Sequence, residues 1–168
     1  ADKGEMGVRA VREAAALGKV PVALYSLQDD ADSLQLRLAE ASGGFGIGLE
    51  GAFRESYANY AQMSERIHAT FQERFGDDWE AELRRAALYP GYGPLAENAA
   101  AIRHFRRHGI VFIGPPQDVV ENIGDKRNFR RLAQSLDPKA VTPGIVIDSN
   151  DAAEITRLVE EGLARGDF

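Results

Sequence analysis

A chain of 168 residues, 44% of them hydrophobic, is long enough for one domain with a core of its own. Its 20 basic and 26 acidic residues give a net charge of −6, with the cations scattered among acids, which argues against a nucleic-acid partner. There is no cysteine, no apolar run of the roughly 18 residues a membrane span needs and no signal-type apolar start, so disulfides, thiolate metal sites and the membrane are set aside and a cytoplasmic protein is expected.

From Gly4 to Leu17 apolar residues recur at helical spacing, and Gly18 stands where a glycine ends a helix. Val20 to Ser26 is a continuous β-branched and aromatic run, as in a strand buried on both faces. A short helix is expected over Asp32 to Ala39. Gly43 to Gly48 promises at best a brief strand edge, because its glycines weaken any regular element. Ser56 to Phe75 carries Tyr60, Met63, Ile67 and Phe71 three and four apart, a helix with Ser56 as its cap, and Asp77 to Arg85 extends it or forms a second one. Ala86 to Tyr89 runs into the turn Pro90-Gly91-Tyr92-Gly93-Pro94, followed by a helix from Leu95 to His108 and a strand from Ile110 to Ile113. Val119 to Leu136 reads as helix interrupted at Gly124, Val141 to Ile147 as an extended run broken by Pro143-Gly144, and Asp151 to Ala164 as an amphipathic helix. Buried strands alternating with helices predict βαβ units and a mainly parallel sheet.

Gly91 to Ala96 fits the spacing G-x-G-x-x-A between a strand and a helix, the pattern of a dinucleotide site. That pattern requires an acid after the next strand to hold the ribose, and Ile110 to Ile113 is followed by Gly114-Pro115-Pro116. A tight turn at the ligand-binding edge of the sheet accounts for the glycines. His104 and His108 lie one helical turn apart, but two arginines stand between them and no glutamate, so they read as solvated surface residues, with His68 alone elsewhere. Gly124-Asp125-Lys126 could set an ammonium against a phosphate while the glycine admits the ligand.

Several strings, taken in order, resemble the N-terminal domain of biotin carboxylases, the ATP-grasp enzymes of acetyl-CoA, propionyl-CoA and pyruvate carboxylases. Gly4 to Arg9 looks like the family's R-G-E-I-A-x-R opening with Lys3 in place of the arginine, and Ser56 to Asn59 like its S-Y-L-N. Tyr89 to Ala99 is similar to H-P-G-Y-G-F-L-S-E-N-A, Ile110 to Pro115 to F-I-G-P, and Ile123 to Lys126 to M-G-D-K. Tyr89 replaces the usual histidine and Pro94 an aromatic, while Phe71 to Arg85 looks like an insertion.

The resemblance implies a three-layer, Rossmann-like pre-ATP-grasp domain over residues 1–144, with 145–168 leading toward an ATP-grasp domain. It implies that ATP, biotin and Mg2+ serve the intact enzyme, and that the remaining partners are the biotin carrier domain and the carboxyltransferase. Lys126 would touch the nucleotide phosphates, and Tyr92, Gly93 and Glu97 would border the biotin and bicarbonate end. The chain begins where the family's first strand would end and stops before the lid over ATP and the magnesium carboxylates, so no catalytic residue and no metal ligand is expected within it, and alone it would be inactive. A sheet edge without its first strand could be covered by a second copy, giving a homodimer. The alternative is a non-catalytic binding or assembly module that has kept the fold.

Overall fold

The run Val-Ala-Leu-Tyr-Ser forms a strand because both of its faces are claimed by other elements. In the computed structural model, which describes residues 2–167, β1 (Val22–Ser26) packs Ala23 with Val11 of α1 (Gly4–Ala16) and with Leu36 and Ala39 of α2 (Leu34–Ala41). On the opposite face Leu24 enters a larger cluster that forms the main core. The first unit is thus layered as helices, sheet and helices, as the resemblance implies.

Strand β2 (Phe45–Leu49) runs parallel to β1, with Val22 opposite Phe45 and Ser26 opposite Leu49. It is a full five-residue strand where the sequence promised only an edge. Phe45, Ile47 and Leu49 point into the main core, and the glycines occupy the other face. A Cβ on Gly46 would overlap the Leu36 side chain, and one on Gly48 would come within 2.8 Å of Leu27 Cδ2. Glycine is therefore the residue that fits there, and the core contacts offset its weak strand propensity.

Helix α3 (Tyr60–Phe75) starts one turn later than Ser56 suggested. The Asn59 side chain caps it, accepting from the Gln62 amide at 3.1 Å, whereas buried Ser56 gives its hydroxyl to the Ala52 carbonyl at 2.8 Å and closes the preceding turn. Gly76, at φ +54°, stops α3 and leads through a 3-10 turn into α4 (Trp79–Arg85). The stretch that looks like an insertion is therefore a helical hairpin. It adds Phe71 and Leu83 to the core, and the Phe71 and Phe75 rings meet Phe45 edge-on at 6.1 and 6.4 Å.

Strand β3 (Ala87–Leu88), α5 (Ala99–Arg107) and β4 (Val111–Phe112) form a βαβ unit whose strands pair in parallel. The strands thus come as two parallel pairs, β1 with β2 and β3 with β4, over a shared core. Leu24 and Ile47 from the first pair and Leu88 and Phe112 from the second lie in one cluster with Met63, Ile102 and Phe105. Burying each such side chain contributes about 1.5–3 kcal/mol.

The chain divides into two compact units, residues 1–120 and 121–168. Helix α6 (Gln117–Ile123) spans the division. The second unit holds α7 (Lys126–Leu136) and α8 (Ala152–Arg165). The run from Val141 to Ile147, expected to be extended, forms no strand, and Arg130 takes the Thr142 and Gly144 carbonyls at 2.6 and 3.0 Å. Among the described residues no helix is long and apolar enough to cross a membrane.

Candidate functional site

The turn after β3 is fixed by two features. Gly91 has φ +71°, a conformation in which glycine avoids the Cβ penalty, and Pro90 is buried beneath it. The Tyr92 amide donates to Asp2 Oδ2 at 3.2 Å, across 90 residues of sequence. A Cβ on Gly91 would overlap that carboxylate, whereas one on Gly93 would meet only its oxygens, at 3.8 and 3.9 Å. Gly93 therefore presents an open backbone, and Tyr92 beside it is 75% exposed. Glu97 is exposed at the end of the same turn. The turn carries Tyr92, Gly93 and Glu97 in one short segment, and of these Gly93 lines a small cleft with Asp2, Phe53, Pro90, Pro94 and Leu95.

Asp2 is the member that sequence reasoning did not anticipate. The opening string pointed to this segment, but nothing in its spacing places a carboxylate on a turn 90 residues away. Lys3 lies with its ammonium 4.8 Å from the Phe53 ring centroid, so both residues of the opening lean toward the cleft.

The turn does not open a helix directly. Helix α5 begins three residues after Ala96, and the Asn98 side chain already accepts from the Ala101 amide at 3.0 Å. The helix start is thus occupied by its own cap, which removes the phosphate cradle that a dinucleotide reading would need.

Lys126 lies at the first position of α7 in the second unit. Asp125 caps this helix by accepting from the Arg127 and Asn128 amides at 2.7 and 3.2 Å. Its hydrogen bonds from the Arg127 guanidinium, then those two amides, hold its carboxyl well below the usual carboxylate range. Arg127 also reaches Asp148 at 3.2 Å, and Arg131 pairs with the same carboxylate. The arginines around Lys126 are thus folded onto acids and carbonyls of their own unit. The Lys126 ammonium is exposed and, among the described residues, takes no ion pair.

The histidines are not the dispersed surface residues that their spacing suggested. His104 Nε2 lies 2.7 Å from the Ser64 hydroxyl, and its ring stacks on that of His108 with centroids 4.1 Å apart. His68, forty residues from His108 in sequence, bonds the His108 carbonyl through Nε2 at 2.9 Å. Burial foremost, then the His108 and His68 rings, lowers the His104 pKa below the ordinary histidine value, opposed by Glu65. Among the described residues no group of three or more histidines or acids could hold a metal ion.

The parallel strand pairs and the open glycine turn at the carboxyl end of β3 define an α/β domain whose turn lies at the edge where open α/β sheets hold ligands. The chain belongs to the family described as biotin carboxylase, N-terminal domain, whose model matches residues 1–120. The propionyl-CoA carboxylase alpha chain of Ruegeria pomeroyi is 29% identical over 161 residues, which is 95% of this chain and 21% of that protein. The pyruvate carboxylase of Pichia angusta is 32% identical over 156 residues, 92% of this chain and 12% of that one. Among solved structures, the biotin carboxylase domain of a single-chain bacterial carboxylase superposes with a TM-score of 0.68 at 31% identity, over 98% of this chain and 33% of its own. The biotin carboxylase domain of a thermophilic 2-oxoglutarate carboxylase bound to bicarbonate gives a TM-score of 0.61 at 25% identity, over 95% and 32%. The chain thus corresponds to a small N-terminal part of such proteins.

Proposed function

We propose that this chain forms the N-terminal wall of the active site in a biotin-dependent carboxylase, and that it is inactive alone. In the intact enzyme ATP and bicarbonate would give ADP and carboxyphosphate, whose carboxyl group passes to the ureido nitrogen of biotin as phosphate is released. The observation that carries this reading is the turn Gly91–Glu97, which keeps the two glycines, the tyrosine, the leucine and the glutamate of the family's motif, leaves Gly93 open on one side and projects Tyr92 to solvent.

Lys126 fits a phosphate on chemical grounds: among the described residues its ammonium takes no ion pair, and a fixed cation favours the charge spread over a transferring phosphoryl group. Tyr92 and Glu97 would border the biotin and bicarbonate end, where their exposed side chains are free to order on a ligand. Mg2+ ligands would come from outside this chain, as would the ATP-grasp domain, the biotin carrier domain and the carboxyltransferase. We take the family domain to run to residue 144 and the protein to be cytoplasmic and homodimeric. Calorimetric titration of ATP into the full-length protein tests the reading. Lys126→Met should weaken binding about tenfold, the loss of one charge-assisted contact. Equal affinity in the two proteins would remove Lys126 from the site.

A further inference from the structure

We propose that His68, His104 and His108, the chain's three histidines, form a proton-operated clamp that fastens α5 to α3 at neutral pH and releases it on mild acidification. The residues come from two helices, and every polar contact among them crosses between α3 and α5 or ties the last turn of α5. Ser64 and His68 on α3 bond the His104 ring and the His108 carbonyl at 2.7 and 2.9 Å, while His108 Nδ1 lies 2.8 Å from the His104 carbonyl. A carbonyl oxygen only accepts, so His68 Nε2 and His108 Nδ1 carry the protons in those bonds, and each ring satisfies its contact in the neutral form. One nitrogen on each of these rings remains to take a further proton. The rings lie close: His104 and His108 are 4.1 Å apart and His68 and His108 are 6.0 Å apart, with Trp79 of α4 edge-on to His68 and Tyr60 of α3 beside His104.

The charges facing the cluster set the sign. On α3 Glu65 favours a protonated His104 and His68 opposes it, and on α5 His108 opposes it. Arg106 and Arg107 in the last turn of α5 add positive charge of their own. Trp79, the α4 contact, is neutral. Once a second ring is charged, a stack that is favourable between neutral rings becomes a contact between like charges. Because burial disfavours the His104 cation, the open arrangement takes protons more readily than the closed one. Closure is therefore fully favoured above the ordinary histidine range and lost as pH falls through it.

Helix α5 carries the consequence in both directions, since its cap Asn98 follows Glu97 of the glycine turn and its end leads into β4. The inference does not depend on the chemistry proposed for that turn.

Amide hydrogen exchange on the 168-residue chain tests it, with rates corrected for intrinsic pH dependence and α1 as the internal reference. Between about pH 7.5 and about pH 5.5, protection of the segment 99–113 should fall about tenfold relative to α1. His108→Gln replaces an exposed ring and so leaves the core intact, and it should cut that loss to less than about threefold; His68→Gln should act in the same direction. Unchanged protection of 99–113, a loss shared equally by α1, or a His108→Gln protein that responds like the wild type would overturn the proposal.

Discussion

Two single-methyl substitutions in the glycine turn should separate its folding role from its ligand role. In Gly91→Ala the new methyl enters a backbone at φ +71° and overlaps the Asp2 carboxylate. The left-handed conformation costs a non-glycine residue about 1–2 kcal/mol. Displacing Asp2 breaks the hydrogen bond from the Tyr92 amide, a partly exposed contact with a charged acceptor worth about 1 kcal/mol after discounting for solvent. The sum is about 2–3 kcal/mol, which at this chain length lowers the thermal midpoint by about 5–10 °C. In Gly93→Ala the methyl meets only ordinary contacts at 3.8 and 3.9 Å, so the cost should stay within about 0.5 kcal/mol. Circular dichroism melts of the three proteins measure both numbers. If a ligand lies against the open flank of Gly93, that variant of the full-length protein should lose activity while keeping its midpoint. Equal midpoint losses for the two variants would show that neither the φ angle nor the Asp2 contact distinguishes Gly91 from Gly93.

Gly7→Ala should cost about 2–4 kcal/mol, since its methyl would overlap the buried Gln35 amide and force it off the Leu24 carbonyl and the Tyr57 hydroxyl; urea unfolding reads the loss. Phe105→Ala empties a fully buried site in the core and should cost about 3–5 kcal/mol by the same measurement. Tyr57 has its pKa raised by burial and by Asp30, so in an ultraviolet titration one of the five tyrosines should fail to ionise near pH 10 while the fold persists. Because the fold holds the Tyr57 proton more tightly than the unfolded chain does, stability is fully present below about pH 10 and falls above it, and Tyr57→Phe should flatten that fall.

What the sequence made legible follows from where the physics is local. Helix α1 and strand β1 could be read because a periodic apolar pattern ends at Gly18 and a short continuous run follows it. The parallel pairing followed from the alternation of elements. Strand β2 is hidden in the sequence because glycine propensity disfavours a strand, while the glycines at Gly46 and Gly48 are set by the Leu36 and Leu27 side chains packed above them. The starts of α3 and α5 shifted to Asn59 and Asn98 because cap geometry, visible only in three dimensions, chose among nearby polar residues. The motif order singles out the turn and Lys126 as candidates. It could not find Asp2, nor gather His68 with His104 and His108, because those contacts join segments forty to ninety residues apart.

The proposed role of this fold in biotin carboxylation is tested most directly by ATP-dependent transfer of radiolabelled bicarbonate to free biotin by the full-length protein. Labelled carboxybiotin and phosphate release should both require biotin and ATP, and both should fall in Lys126→Met. A correctly folded full-length protein that binds neither ATP nor biotin and forms no labelled product would contradict it, and the fold would then be serving as a binding or assembly module.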